Sequence, residues 1–129
     1  MNLNAVGVTS SNIKKTVQFY TLLGLQFPAF ADDEGHAETT VSDTSAKLMI
    51  DTKEIVKQII GEDPVPGNHS SFAIEYDTPA EVDAVAEKVR AADFTVVKEP
   101  WDALWGQRYC LVRDPDGYMV DLYAALKKA

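Results

Sequence analysis

The sequence has little of what would place the protein outside a simple soluble fold. A single cysteine, Cys110, excludes an intrachain disulfide. No apolar run approaches the roughly 18–20 residues that span a bilayer. Residues 1–9 also lack the basic stretch and apolar segment of a secretion signal. These absences predict a cytoplasmic protein that has no membrane partner.

Basic residues are also scarce. Lysine and arginine number 12 against 20 aspartates and glutamates, which gives a net charge of -8. Nucleic acid is therefore excluded as an expected partner, because phosphate binding needs clustered lysine and arginine. A small cationic ligand is favoured electrostatically, although an acidic surface can also serve solubility alone.

The 129 residues, of which 46% are hydrophobic, suffice for one folded domain. In the first half, apolar and β-branched runs predict strands, and apolar residues at helical spacing predict a helix that Gly24 ends. The predicted elements are strand Leu3–Thr9, helix Ser11–Leu23, strands Leu25–Phe30, Ala37–Val41 and Ala46–Asp51, and a short helix Lys53–Ile60.

The same order restarts after the proline-rich residues 62–69, which we predict to be a linker. Thr78 and Glu81 form a capping box with proline at the first helical position, a strong signal for a helix start. The second set comprises strand Ser71–Tyr76, helix Pro79–Ala92, and strands Phe94–Val97, Gln107–Arg113 and Tyr118–Tyr123. The repeat spacing of about 66–69 residues predicts an α+β fold: a single domain of two βαβββ modules, residues 1–61 and 70–129, with helices on the outer face.

Alternation along the predicted strands separates two faces. One parity is entirely apolar and should face the helices: Val6, Val8, Leu48, Ile50, Phe72, Ile74, Val120 and Leu122. The other parity mixes small, polar and charged residues, among them Met49, Ser71, Asp121 and Tyr123. This second face could line a cleft, or it could be the half-solvated face of an ordinary antiparallel sheet.

Three segments resemble the vicinal-oxygen-chelate superfamily of glyoxalases, ring-cleaving dioxygenases and bleomycin-resistance proteins. They are Asn12 to Leu25, with its Phe19-Tyr20 and Leu23-Gly24 pairs, then Phe94 to Pro100, and the turn Asp114-Pro115-Asp116-Gly117-Tyr118. The stretch from Trp101 to Arg108 is similar to the bleomycin-resistance-like branch. The resemblance implies curled mixed sheets that form a cleft, and a homodimer.

Metal-dependent members of that superfamily hold their ion with four side chains on the first and last strands of each module. Carried over by position, these ligands fall on Ala5, Met49, Ser71 and Asp121. Only Asp121 offers a donor that a hard or borderline divalent metal prefers. The resemblance therefore implies the fold without the metal chemistry, and we expect neither metal nor cofactor.

The ligand would instead meet aromatic and charged groups. Trp101 and Trp105 could face a cationic or planar molecule, or they could simply be packing residues. Arg108 could contact an anionic group of the ligand or pair with Asp121 or Glu75. We expect Met49, Ser71, Trp101, Trp105, Arg108 and Asp121 to form one binding surface, with no catalytic residue.

The predicted function is the binding, without catalysis, of a small molecule such as a cationic antibiotic or metabolite, which the protein would sequester. The alternative is an enzyme of the same superfamily: a metal-dependent lyase or dioxygenase with shifted ligands, or a metal-free isomerase or lyase. Two further features predict neither a metal site nor a nucleophile. His36 and Glu38 share a strand face but supply too few ligands for a metal, and Cys110 lies in an apolar strand, where cysteines are usually inert.

Overall fold

A computed structural model describes residues 1–29, 34–41, 45–65 and 72–127. The chain divides into two compact units, Met1–Pro66 and Gly67–Ala129. Predictions that concern Phe30, Ser71 and residues 66–69 of the proposed linker lie outside the described residues. Each unit is described by itself.

Unit 1 contains a three-stranded sheet and two helices. Its elements are β1 (Ala5–Ser10), α1 (Ile13–Leu22), β2 (His36–Glu38), β3 (Lys47–Thr52) and α2 (Lys53–Ile60). The strand order is β1-β3-β2. β3 pairs parallel with β1 and antiparallel with β2, so the sheet is mixed.

Helix α1 begins where the sequence supplies a capping side chain. Asn12 has an extended backbone, and its Oδ1 accepts a hydrogen bond from the Lys15 amide at 3.1 Å. Gly24 follows the last turn with a φ of 106°, a left-handed conformation that glycine adopts without steric cost. Phe19, Tyr20 and Leu23 are fully buried, and α1 packs against β3 and β2.

Two predictions for unit 1 are wrong in detail. Residues 25–29 do not form a strand, and β2 is shorter than the predicted Ala37–Val41. Pro28 has no amide hydrogen to donate to a ladder, and one backbone bond, from the Thr40 amide to Gln26 at 2.8 Å, joins the two segments. After Glu38, the Thr39 amide donates to the Leu48 carbonyl at 3.0 Å, and the Thr39 hydroxyl accepts a bond from the Leu48 amide at 2.9 Å. The hydroxyl therefore takes the place of the second backbone bond of this pair.

Unit 2 has a full strand–helix–three-strand arrangement. Its elements are β4 (Phe72–Glu75), α3 (Pro79–Ala91), β5 (Thr95–Ala103), β6 (Gln107–Arg113) and β7 (Met119–Ala125). The strand order is β4-β7-β6-β5, with β4 parallel to β7 and the other pairs antiparallel. β5 is longer than the predicted Phe94–Val97 and places Trp101 within a strand.

Helix α3 covers one face of this sheet. The Thr78 hydroxyl accepts a bond from the Glu81 amide at 3.3 Å and donates to the Glu81 carboxylate at 3.0 Å, which is the predicted capping box. The helix packs on β5, β6 and β7. The apolar side chains between helix and sheet are buried: Val82, Val85, Ala86, Val89, Cys110, Val112, Val120 and Leu122.

The turn before β7 has a structural role. Asp114 is 4% exposed, and its carboxylate accepts bonds from the amides of Asp116 and Tyr118, each at 2.9 Å. Gly117 has a φ of 102°, which suits glycine best. Arg113 donates to the Gly117 carbonyl at 2.9 Å. The predicted turn is confirmed, and the Asp114 carboxylate is engaged in hydrogen bonds to backbone amides.

The α+β class is confirmed, with mixed sheets of three and four strands that are consistent with βαβββ modules. The described residues of unit 2 show the complete βαβββ order. A cleft between the modules, the boundaries of the modules and the single-domain organisation stay predictions. Among the described residues, no helix has the length and apolar character needed to cross a membrane.

Candidate functional site

The sheet of unit 2 has one buried face and one partly open face. Val120 and Leu122 on β7 are fully buried beneath α3. Asp121 and Tyr123 alternate with them and are partly exposed on the opposite face. The parity predicted for β7 is therefore confirmed, and the open face is the candidate site.

Four aromatic rings cover this open face, and we call them the aromatic platform: Trp101, Trp105, Tyr109 and Tyr123. Strand register places Trp101, Tyr109 and Tyr123 in one row across β5, β6 and β7. The Tyr109 and Tyr123 rings are stacked, with centroids 5.9 Å apart and an interplanar angle of 21°. Trp101 and Trp105 meet Tyr109 edge-on at 5.6 and 5.4 Å. Because Trp105 is 61% exposed, the platform is open to solvent on that side.

Asp121 lies beside the platform. Its carboxylate accepts a hydrogen bond from the Tyr109 hydroxyl. Burial, followed by this hydrogen bond, raises the pKa of Tyr109 to about 12. The phenol therefore remains a donor at neutral pH. A carboxylate can accept several hydrogen bonds, so one bond from Tyr109 leaves Asp121 able to meet a ligand.

A second carboxylate borders the same row. Glu75 on β4 pairs in register with Tyr123 on β7, and its side chain is exposed. Residues directly opposite each other in neighbouring strands share a face. The stacked tyrosines are therefore flanked by Asp121 and Glu75, one of them in direct contact with Tyr109.

Arg108 lies on the other face of the sheet. Its Nε donates to Asp83 of α3 at 3.0 Å, and one of its terminal nitrogens donates to Asp102 of β5 at 3.2 Å. The hydrogen bond to Asp83, followed by that to Asp102, raises the pKa of Arg108. The expected convergence of Arg108 with Asp121 is wrong, because adjacent residues of β6 point to opposite faces and Tyr109 occupies the Asp121 side. The expectation that Arg108 contacts a ligand is not tested by this placement, which separates Arg108 from the aromatic platform.

Met49 belongs to unit 1, on the β3 face that alternates with the buried Leu48 and Ile50. Its neighbours on this face are charged rather than aromatic. The His36 Nδ1 lies 2.6 Å from Asp51, the His36 Nε2 lies 2.9 Å from Glu38, and Lys47 lies 2.7 Å from Glu38. We call Asp51, His36, Glu38 and Lys47 the charge ladder.

The side chains of the charge ladder pair with one another and do not form a set of metal ligands. Each imidazole nitrogen of His36 already faces a carboxylate, and the two carboxylates lie on opposite sides of the ring. The hydrogen bonds to Glu38 and then Asp51 raise the pKa of His36, which favours the imidazolium. An imidazolium has no lone pair for a metal. In the part of the chain that the structure describes, no three histidine, cysteine or acidic side chains are arranged to hold an ion.

The family metal positions do not fit an ion either. Ala5 on β1 has no donor atom, and Met49 on β3 offers only a thioether. Asp121 is the single strong donor, and it is bonded to Tyr109. Ser71, the fourth position, lies outside the described residues. The absence of a bound metal in the protein stays a prediction.

Cys110 is fully buried on β6, under α3. Burial is the main cause that raises its pKa to about 12. The thiol is therefore protonated at neutral pH and is not a nucleophile.

Of the predicted ligand-binding residues, the structure brings together Trp101, Trp105 and Asp121. The predicted binding residues did not include Tyr109 and Tyr123, which complete the aromatic platform in unit 2. In unit 1 they did not include Asp51, which contacts His36 in the charge ladder. Strand parity had already placed Tyr123 on the same face as Asp121, although it did not show that the Tyr123 ring stacks on Tyr109. Asp51 required the β2–β3 register, because only that pairing puts it opposite His36.

Comparisons with known proteins agree with this fold. The family model described as the Glyoxalase/Bleomycin resistance protein/Dioxygenase superfamily matches residues 2–122. A comparison with curated protein sequences found no match.

Solved structures resemble the chain at low identity. A glyoxalase/bleomycin resistance protein/dioxygenase family enzyme from Burkholderia phytofirmans PsJN is 17% identical, with a TM-score of 0.81 over 98% of this chain and 100% of that one. A family protein from Nocardioides is 20% identical, with a TM-score of 0.73 over 100% of this chain and 86% of that one. Lactoylglutathione lyase from Agrobacterium tumefaciens is 15% identical, with a TM-score of 0.69 over 95% and 92% of the two chains. These likenesses concern the fold alone. The family match, in contrast, covers nearly the whole sequence. The chain therefore belongs to the glyoxalase/bleomycin resistance protein/dioxygenase superfamily.

Proposed function

We propose that the protein binds a small cationic organic molecule on the aromatic platform and does not transform it. The observation that carries this proposal is the row of Trp101, Tyr109 and Tyr123 beside the Asp121 carboxylate. Aromatic faces attract cations, and a neighbouring carboxylate adds a charge-assisted hydrogen bond. The net charge of -8 favours the same sign of ligand.

Binding suits this surface better than catalysis because its polar groups are few. Asp121 and the Tyr109 hydroxyl bond to each other, and the Tyr109 phenol does not ionise near neutral pH. At the family metal positions, Ala5 and Met49 lack the donor atoms that would hold a metal ion to polarise a substrate. Sequestration of a cationic antibiotic or metabolite is the function that this combination supports best.

Thermal melting in the presence of cationic antibiotics and small cationic metabolites tests the proposal. A ligand that binds the folded protein raises Tm through linkage. Both tryptophans of the chain are in the platform, so their fluorescence reports directly on this site. We expect the same compounds to raise Tm and to change the emission.

Two variants locate the binding. Trp105→Leu should weaken it by about 3- to 10-fold, because an exposed aromatic contact is lost. Arg108→Gln is the matched control from the opposite face and should leave the affinity unchanged. Loss of affinity in Arg108→Gln with normal binding by Trp105→Leu would move the site to the α3 side and contradict the proposal.

The alternative function is an enzyme of the same superfamily, either a metal-dependent lyase or dioxygenase or a metal-free isomerase or lyase that uses Asp121. Elemental analysis of protein purified without a His-tag separates the metal-dependent form from the proposed one. We expect less than stoichiometric Zn, Ni, Mn and Fe. Near-stoichiometric metal that is lost in Asp121→Ala would support the enzyme instead.

We also propose a homodimer. Each sheet ends in two edge strands, β1 and β2 in unit 1 and β4 and β5 in unit 2. Strand edges expose unpaired backbone groups that proteins usually cover. Sedimentation velocity at micromolar concentration should show a species of twice the 14.2 kDa chain mass. A single species at the chain mass would refute the dimer.

A further inference from the structure

Lys98 lies over the platform. Its ammonium nitrogen is 3.9 Å from the centroid of the Trp101 ring, well within the range of a cation–π contact. One face of the Trp101 ring is therefore already occupied by a cation of the protein.

The backbone of β5 produces this contact. Residues 98 and 101 of a regular strand would point to opposite faces. In β5, Lys98 pairs with Leu111 and Trp101 pairs with Tyr109, so three steps on β5 match two steps on β6. The extra residue is a β-bulge, which re-aims the following side chain. The bulge places Lys98 and Trp101 on the same face.

We propose that Lys98 is a specificity-determining residue that competes with the ligand for Trp101; this inference rests on the function proposed above. A tethered ammonium has a high effective concentration at its own ring. A free primary amine offers the same strongly hydrated group without the tether and cannot displace it efficiently. A cation that is weakly hydrated and carries additional apolar area gains contacts that Lys98 lacks. The platform therefore selects quaternary or flat aromatic cations over primary amines.

The contact itself is tested in the ligand-free protein. Protons above an indole ring are shielded, so the Lys98 ε-methylene protons should resonate upfield of those of the other lysines by NMR. Trp101→Leu should return them to the ordinary range. Unshifted ε-methylene protons in the unsubstituted protein would overturn the inference, whatever the protein binds.

Competition is tested by titrating benzyltrimethylammonium and n-butylammonium into three variants, followed by calorimetry and tryptophan fluorescence. Lys98→Ala should bind n-butylammonium about 2- to 5-fold more tightly, since an exposed cation–π contact no longer has to be broken. Benzyltrimethylammonium should gain less, because its apolar area also contacts rings that Lys98 does not cover. Lys98→Arg keeps a cation over the ring and should bind like the unsubstituted protein. Lys88→Ala, on exposed α3, removes the same charge from the opposite side of unit 2 and should change neither affinity.

The outcomes separate the two proposals. Tighter binding by Lys98→Ala alone supports the inference. If the unsubstituted protein binds benzyltrimethylammonium, and Lys98→Ala gains no affinity for n-butylammonium or gains equally for both probes, the inference fails and the proposed function stands. If neither protein binds either probe while other cationic compounds raise Tm, the specificity assigned to Lys98 is wrong. If no cation binds at all, both proposals fail.

Discussion

The two units carry contrasting chemistry at corresponding places. In unit 1, the open face of β3 carries the charge ladder, in which Asp51 contacts His36. In unit 2, the open face of β7 carries part of the aromatic platform, in which Tyr123 stacks on Tyr109. The helix-facing parities are alike, with Ile50 and Leu122 both fully buried. A repeated architecture therefore depends on the buried positions, and the open positions are free to diverge.

The divergence also explains why the two faces differ in what they offer a ligand. Every charged member of the ladder has a partner of opposite charge within the ladder. The platform contains more ring area than charge, and Asp121 keeps capacity for a further hydrogen bond. We therefore assign ligand binding to unit 2.

The strongest test of the comparison is in the buried positions. Ile50→Ala and Leu122→Ala should each lower the free energy of unfolding by about 2–5 kcal/mol, because each removes fully buried methyl groups and leaves a cavity. Urea denaturation measures this loss. Met49→Ala, on the open side of the same strand as Ile50, is the control and should cost clearly less. An equal loss for Met49→Ala and Ile50→Ala would contradict the assigned faces.

The next largest effect concerns the two aspartates at the open positions. Asp121→Asn should weaken a cationic ligand by about 1–3 kcal/mol, the scale of a charge-assisted hydrogen bond, and should hardly change the fold. Asp51→Asn removes the same charge from the ladder and should leave the affinity unchanged. Calorimetric titration with one ligand distinguishes them. Equal weakening by both variants would mean that only net charge matters.

The smallest effect is the pH dependence of the charge ladder. Hydrogen bonds to Glu38 and Asp51 raise the pKa of His36 above 6.5. Its contribution to stability is therefore complete below pH 6.5 and is lost as the pH rises through the raised value. The side chain is 43% exposed, so solvent screening should hold the change in Tm below about 5 °C.

Melting curves between pH 5 and 9 measure this contribution by comparison with His36→Gln. The variant should be less stable at pH 5–6 and equal to the unsubstituted protein at the alkaline end. The opposite trend, with the difference growing as pH rises, would show that the neutral imidazole is the favoured form. An NMR titration of His36 in Asp51→Asn should give a lower pKa than in the unsubstituted protein.

Sequence reasoning recovered the parts of the fold that local signals encode. Asn12, Thr78 and Gly24 mark helix ends because their side chains or backbone freedom act within a few residues. The strand from residue 25 was predicted wrongly because the prediction counted apolar residues and gave no weight to Pro28. Proline has no amide hydrogen to donate to a strand ladder. Arg108 was assigned to the wrong face because two acidic partners, Asp83 and Asp102, lie far from it in sequence or on another strand.

The sequence by itself determined the family, the order of most elements and the parity of strands β1, β3 and β7, since each depends on short-range patterns of apolar, capping and turn residues. Tertiary structure alone decided which side chains meet. The register of β2 on β3 brings Asp51 to His36, and the register of β6 on β7 brings Tyr109 to Tyr123 and Asp121. The bulge in β5 turns Lys98 toward Trp101. Register and bulges arise from pairing between distant segments, and a single residue of slip would exchange the two faces of a strand.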